Sequence, residues 1–387
     1  MSGSPSYFCP LPHRRGPSAS SWPPYQKPHL LHSYRHLPSR DIQHDAPPIA
    51  YYARAPIGCN LNNGFEQRKE RDPRLVEHLD GLCEGLLRYA RKKGGLKKGA
   101  LITWRGMLTR LLVAAYNDRD SWEMNALSLD GNVYLEDSVT SEAVERKIAE
   151  DKSSAIFSYY GYAFESYSTV KDTASGARTL AWTEDMDVDT NEQWCCIAKS
   201  KIGHTRLYCG GEADCVEGQW RNSLADCVEL KTNMLIRDSK GQTNFERKLM
   251  KHWAQSMLLG IPHVEVGFRD NRGIVQQVQR FETMRIPRMV RSSNEANPLW
   301  TSQQCLETFD VLANFIVQTI LPSDPIPGWK AADAESRSQL PEPIIWRIGF
   351  EPKKGITLSV AEDAWRDEEG RWGFLPLPYV QELVDAP

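Results

Sequence analysis

From Pro73 onward, Leu75, Leu79, Leu82 and Leu86 recur at helical spacing, which predicts a helix closing near Gly94. Met107, Leu108, Leu111, Leu112 and Ala115 repeat the pattern for a second helix. Trp122 to Glu136 reads as a hairpin turning at Asp130-Gly131, and a further helix is expected from Ser141 to Asp151, leading into the aromatic run Phe157 to Phe164. The middle of the chain is β-like. Trp194–Lys199, Thr205–Val216 and Ser223–Thr232 have strand composition, with a polar turn at 217–222. Helical spacing returns at Phe245, Leu249, Trp253 and Met257 and is stopped by Gly260-Ile-Pro. A second hairpin is expected from Val264–Phe268 and Ile274–Phe281, then a helix through Leu306, Phe309, Leu312, Phe315 and Ile316, and strands at Ile344–Phe350 and Ile356–Val360. Clustered strands with helices on either side predict an α+β fold of mixed β-sheets flanked by helices.

The first 26 residues are rich in Ser, Pro and Gly without periodicity and are expected to be disordered, leaving residues 27–387 as a single domain. Between them and Pro56 an irregular arm is expected to lie on that domain. With 41% hydrophobic and 25% charged residues the chain is globular in type, and its net charge of −3 excludes a general basic coat for nucleic acid. Any nucleic-acid-binding surface must therefore be local. The nine cysteines form no CxxC pair, so free thiols are expected. No stretch reads as the ~18 apolar residues of a membrane span, and the Pro-rich start lacks the apolar core of a signal peptide. A soluble intracellular protein is the expectation.

The chemistry concentrates in Gly211-Glu-Ala-Asp-Cys and Val228-Glu-Leu-Lys-Thr. Residues two apart on a strand share a face, so Glu212 pairs with Asp214 and Glu229 with Lys231. A hairpin about 217–222 places Glu229 nearly opposite Glu212. Like charges across strands destabilise a sheet, and the apolar flanks of Glu229 imply an interior strand where charge costs more. A divalent cation such as Mg²⁺ or Mn²⁺ resolves that conflict, since both take hard oxygen ligands and a pair of them clamps a phosphoryl transfer. Glu-x-Lys alone is weak, because Glu145/Lys147, Glu150/Lys152 and Glu246/Lys248 share it. On spacing alone, a metal–phosphate site and a structural salt-bridge cluster both stay open.

Further segments add to the picture. Thr103-Trp-Arg105-Gly sets an arginine at a helix start, Gly161-Tyr-Ala-Phe-Glu165 a carboxylate after aromatics, Lys251-His-Trp-Ala-Gln255-Ser a helical face, and Val266-Gly-Phe-Arg269 a strand end. In this order the set resembles the DXO-type RNA decapping nucleases, a family that includes the fungal member partnering the nuclear 5′–3′ exoribonuclease. The resemblance runs at least from Arg105 to Arg285. It implies that Glu165, Asp214 and Glu229 ligate metal together with the Leu230 carbonyl, with Glu212 acting directly or through water. It implies two divalent ions, Mg²⁺ or Mn²⁺. Lys231 and Gln255, beside Glu229, would position the attacking water, and Arg105 would hold RNA phosphate. The implied activity is hydrolysis of RNA 5′ ends. It covers removal of incomplete or aberrant caps (unmethylated guanosine, NAD), release of pyrophosphate from 5′-triphosphorylated RNA and, in some members, 5′–3′ exoribonuclease action. The implied setting is nuclear RNA quality control, with cytoplasmic action also open. The alternative from another class is a non-catalytic partner stabilising an exoribonuclease.

Overall fold

The computed structural model describes residues 5–14, 22–139, 144–145, 148–149, 152–172, 178–180, 188–294, 298–331, 339–361 and 369–385. Its strands are β1 (Ser6–Pro10), β2 (Tyr25–His36), β3 (Ile42–His44), β4 (Tyr51–Tyr52), β5 (Ala100–Trp104), β6 (Trp122–Leu129), β7 (Asn132–Asp137), β8 (Thr169–Asp172), β9 (Arg178–Leu180), β10 (Gln193–Ile202), β11 (Thr205–Glu212), β12 (Cys215–Val216), β13 (Cys227–Met234), β14 (His263–Arg269), β15 (Val275–Glu282), β16 (Trp346–Glu351) and β17 (Gly355–Val360). The helices that matter below are α1 (Asp80–Lys93), α2 (Arg105–Leu112), α3 (Lys152–Tyr167), α4 (Ser239–Leu259) and α5 (Ser302–Ile320).

Two mixed sheets carry the fold. A ten-stranded sheet runs β1-β17-β16-β6-β7-β5-β11-β10-β2-β3, and a seven-stranded sheet runs β15-β14-β13-β12-β4-β8-β9. Most neighbours are antiparallel, but β5 pairs parallel with both β7 and β11, and β13 pairs parallel with β14 through the α4 crossover. Helices α2, α4 and α5 bury Leu108, Leu111, Trp253, Met257, Phe309 and Ile316 with the inner faces of both sheets in one large core. Helix α3 packs Tyr159, Tyr160 and Phe164 on Val228 and Leu230 of β13 in a second cluster. This is the mixed-sheet α+β architecture expected from the element pattern.

Several expectations need correction. Ser6–Pro10, placed in the disordered tail, pairs with Gly355–Ser359 as an edge strand with Cys9 buried. Residues 1–4 and 15–21 of that tail lie outside the described residues. The irregular arm is instead the twelve-residue β2, whose burial of Leu30, His32, Tyr34 and His36 is partial or complete on alternate positions. Pro28 falls where the β2–β10 register shifts, so no ladder hydrogen bond is lost to it.

Helix α1 begins at Asp80 rather than near Leu75, which is 56% exposed; its end at Gly94, with φ +74°, is as expected. The aromatic run 157–164 lies inside α3, while the helix expected at Ser141–Asp151 falls largely outside the described residues. The stretch 302–331 is long and apolar enough to cross a membrane by length and composition, contrary to the reading of the sequence. Half of its most apolar window is buried inside the fold, as in a core helix.

Candidate active site

The segment expected to form one long strand from Thr205 to Val216 breaks in two. Strand β11 ends at Glu212 in the ten-stranded sheet, with Glu212 paired to Cys195 of β10. The Ala213 N–H still reaches the Trp194 carbonyl at 3.0 Å, but from Cys215 the chain belongs to the other sheet. The hairpin with β13 is only two pairs long, Cys215–Val228 and Val216–Cys227. Glu212 therefore does not face Glu229 across a ladder as expected. Asp214 takes that position, its Oδ2 accepting the Leu230 N–H at 2.7 Å. The carboxylates still converge, because the chain crosses between sheets at the point where they meet.

Arg105 opens α2 directly after β5, and it lies close to β11 because two glycines let it. A Cβ on Gly210 would stand 2.6 Å from the Trp104 ring, and one on Gly211 would stand 3.1 Å from Arg105 Cβ. Arg105 Nη1 then reaches Glu229 Oε2 at 2.8 Å. On the other side Lys231 Nζ lies 2.8 Å from Glu229 Oε1, donates to the Leu230 carbonyl at 3.0 Å and stands 3.5 Å from Asp214 Oδ2. Glu229 itself is fully buried between its two cations.

Electrostatics separate the four acids. Burial opposes the Glu229 charge, but Arg105 and Lys231 overcome it and hold that carboxyl down to about 2. Burial, followed by the charges of Asp214 and Glu212, pushes Glu165 of α3 well above the usual carboxylate range. Glu165 has no ion-pair partner among the described residues. Burial and Asp214 push Glu212 up to about 7. Burial also raises Asp214, against the pull of Lys231. Lys231 keeps its charge: burial disfavours it, and Asp214 and Glu229 more than compensate. Three of the four acids are thus raised by burial and then by one another's charge, a pattern that marks a candidate functional site.

The donor set suits a hard divalent cation. The Lys231 ammonium already sits among Glu229 Oε1, the Leu230 carbonyl and Asp214 Oδ2, three of the oxygens expected to ligate metal. Among the described residues no three His, Cys, Asp or Glu side chains stand at the spacing of a formed metal shell.

Of the residues singled out from sequence, Glu165, Glu212, Asp214, Glu229, Leu230, Lys231 and Arg105 come together. Gln255 stands apart from their hydrogen bonds, on α4 in the wall of a large cleft. Arg105 is occupied by Glu229 rather than free in solvent. Three neighbours escaped the sequence reading. Gln193 Nε2 donates to Glu212 Oε2 at 3.1 Å, and Arg40 Nη1 donates to Gln193 Oε1 at 2.9 Å, with Arg40 Nη2 on Glu77 at 2.7 Å. His252 is held neutral, its pKa lowered to about 3 by burial and then by Lys231, and its Nε2 has no hydrogen-bond partner. Its position three residues before Gln255 on α4 was the one available signal.

An acidic set with a strand-borne Glu-x-Lys at the meeting of two mixed sheets defines a metal-dependent nuclease of the PD-(D/E)XK type. A profile of the RAI1-like PD-(D/E)XK nuclease family matches residues 26–380, and the chain belongs to that family. A decapping nuclease RAI1 of Cryptococcus neoformans is 44% identical over 375 residues, covering 94% of this chain and 95% of the relative. A mouse decapping and exoribonuclease protein is 30% identical over 384 residues, covering 95% and 88%. The crystal structure of Candida albicans Rai1 in complex with pU5-Mn²⁺ superposes with a TM-score of 0.80 over 99% of this chain and 100% of that one, at 22% identity, a likeness of fold.

Proposed function

We propose that the protein is a metal-dependent hydrolase of RNA 5′ ends. It removes incomplete or aberrant caps, the unmethylated guanosine and NAD caps among them, and pyrophosphate from 5′-triphosphorylated RNA, and it trims some substrates 5′ to 3′. Its catalytic domain takes in β1 and the whole of β2 together with the rest of the fold. The observation that carries the reading is the cation nest of Glu229, Asp214 and the Leu230 carbonyl, built of hard oxygens and held by two positive side chains. Glu165, Glu212, Asp214, Glu229 and the Leu230 carbonyl would hold two Mg²⁺ or Mn²⁺ ions, which supply Lewis-acid stabilisation of the phosphoryl group and a hydroxide-like nucleophile.

The chain's own residues do the rest. Lys231 would hold the attacking water and neutralise charge growing on phosphate. Gln255 orients that water from α4. Arg105, freed in part from Glu229, grips a phosphate oxygen with a fork suited to it. Two relatives named for decapping, 44% and 30% identical, support this reading.

Incubating the protein with cap-labelled and body-labelled RNA plus Mg²⁺ or Mn²⁺ tests it. Release of the cap label ahead of the body label is expected. Retention of both labels with either metal would overturn the proposal. We further propose that the protein acts in the nucleus, with a nuclear 5′–3′ exoribonuclease as partner, on the strength of family membership. Co-purification with that exoribonuclease of its own organism is expected, and no binding at micromolar concentration would refute it.

A further inference from the structure

The face of the ten-stranded sheet beneath α1 carries an acid at one end and cations at the other. On β10, Cys195 stands opposite Glu212, and Lys199 and Lys201 follow on the same face of the strand. From Cys195 to Lys201 the strand runs about 20 Å at ~3.3 Å per residue. Lys201 is directly opposite Arg206 of β11, and Lys199 is opposite Tyr208. The Tyr208 hydroxyl accepts the Lys97 N–H at 3.0 Å, which brings the turn after α1 to this end of the sheet. Lys199 Nζ donates to the Tyr89 hydroxyl of α1 at 3.2 Å. Burial lowers the pKa of His32 on β2 to about 4, and Arg88 and Lys92 of the same helix push it the same way.

The fold gives these charges no work. Arg88, Lys92, Lys97 and Lys201 are exposed, and among the described residues no carboxylate pairs with them, with Lys199 or with Arg206. The acids nearby are engaged elsewhere: Asp45 faces His32, Glu84 faces His44 and Asp130 faces Lys98. A lysine in the last turn of a helix favours its dipole, which accounts for Lys92 but for none of the strand-borne cations. Like charges directly opposite each other weaken a sheet, so the Lys201–Arg206 pair does not serve the strands. In a chain of net charge −3 this is a local positive face. Its rings are closed to a base: Tyr208 is 2% exposed, and the Lys199 ammonium stands 5.6 Å from the Tyr89 ring centroid. Cations without open rings suit phosphates rather than unstacked bases, and double-helical RNA is held chiefly through its phosphates and 2′-hydroxyls.

We propose that this end of the sheet is a secondary site for a base-paired stretch of RNA, held by its phosphates on Lys92, Lys97, Lys201 and Arg206 and separate from the acids. That the duplex is RNA rests on the reading of the acidic site as an RNA 5′-end hydrolase; the binding test does not need that reading. The triple variant Lys92→Gln/Lys97→Gln/Lys201→Gln is compared with the wild type for binding a fluorescent blunt RNA duplex of 20 base pairs and a single-stranded oligouridylate of 20 nucleotides. Both are titrated in EDTA at several salt concentrations, and circular dichroism melts show whether the variant is folded. The duplex should bind at least tenfold more weakly to the variant, with its salt slope lowered by roughly 2–3 units for three lost contacts at ~0.9 each. Oligouridylate binding should change several-fold less. An unchanged duplex slope, or equal losses for duplex and single strand, would overturn the site. If the triple variant melts early, Lys201→Gln alone should lower the duplex slope by about 0.9 units, and an unchanged slope there overturns it too. Phosphatidylserine–phosphatidylcholine vesicles that bind the wild type but not the variant, with duplex affinity unchanged, would assign the face to a membrane and refute the proposal. Hydrolysis of a short unpaired 5′-triphosphorylated RNA in Mn²⁺ separates the two readings. Duplex binding that depends on Lys201 in a wild type that hydrolyses nothing would keep this site and refute the catalytic reading. Hydrolysis with duplex binding indifferent to the variant would do the reverse.

Discussion

Replacing Glu212 with glutamine tests whether the acids are gathered for a cation or for stability. Burial and Asp214 raise the Glu212 carboxyl from 4.5 to about 7. At ~1.36 kcal/mol per unit, that rise makes the ionised form about 3 kcal/mol less favourable in the folded protein. The folded pKa lies above the unfolded one, so this group's favourable contribution is complete below about 4.5 and is lost as pH rises through 7. Metal-free wild type should therefore weaken between pH 5 and pH 8. Glu212→Gln removes the charge and retains an oxygen able to accept the Gln193 N–H. Because Glu165 and Asp214 share the repulsion, the expected gain at pH 8 is about 1–2 kcal/mol, a rise of roughly 1–3 °C in Tm for a chain of this size. At pH 5 the two proteins should melt together. Millimolar Mn²⁺ should raise the wild-type Tm and raise the variant less, since stabilisation follows affinity. Thermal melts at both pH values, in EDTA and in Mn²⁺, provide the readout. A wild type indifferent to Mn²⁺ and a variant melting lower at pH 8 would show that the acids are a structural salt-bridge cluster.

Other expectations are more direct. Asp214→Asn should cut hydrolysis of 5′-triphosphorylated RNA by ~10²-fold or more while the melt stays near wild type, measured by phosphate release. Glu229→Gln should lose as much activity and also cost about 3–5 kcal/mol, because two cations buried against Glu229 lose their countercharge; denaturant titration measures it. Arg105→Ala should weaken RNA binding and lower its salt slope by about 0.7 units, and an unchanged slope at two salt concentrations would remove Arg105 from the phosphate contacts. Deleting residues 1–11 removes β1 and uncovers the β17 edge, and should cost about 1–2 kcal/mol in a chemical melt.

What the sequence disclosed was local. Helical spacing found α2, α4 and α5, and the paired strand segments Val264–Phe268 and Ile274–Phe281 located the β14–β15 hairpin, because these elements are set by neighbours in the chain. The acidic set was legible because apolar flanks around two strand-borne charges make no sense as packing. Pairing was not legible. Whether Glu212 faces Glu229 depends on which sheet each strand joins, and that is decided by partners such as β5 and β10, a hundred residues upstream or on the strand before. Ser6–Pro10 reads as a Pro/Ser tail because its partner lies some 350 residues away. Gln193 and Arg40 carry no motif, and His252 sits in the quoted α4 segment without a role of its own there; only the folded chain brings them to the acids.

The chain changes sheets between Glu212 and Asp214, and that crossing has a bearing on wear. One acid hangs from the larger sheet, one from the smaller, one from the link between them and one from a helix leaning on the smaller, so their spacing is a dimension of the joint and not of any single part. A joint has tolerances that its members do not. Slackening of a few tenths of an ångström between the sheets leaves every strand, helix and core intact, yet spoils the fit to an ion as exacting as Mg²⁺. In this protein heat should take the enzyme before it takes the fold, and a Mn²⁺ ion, by riveting the two sheets together, should delay both.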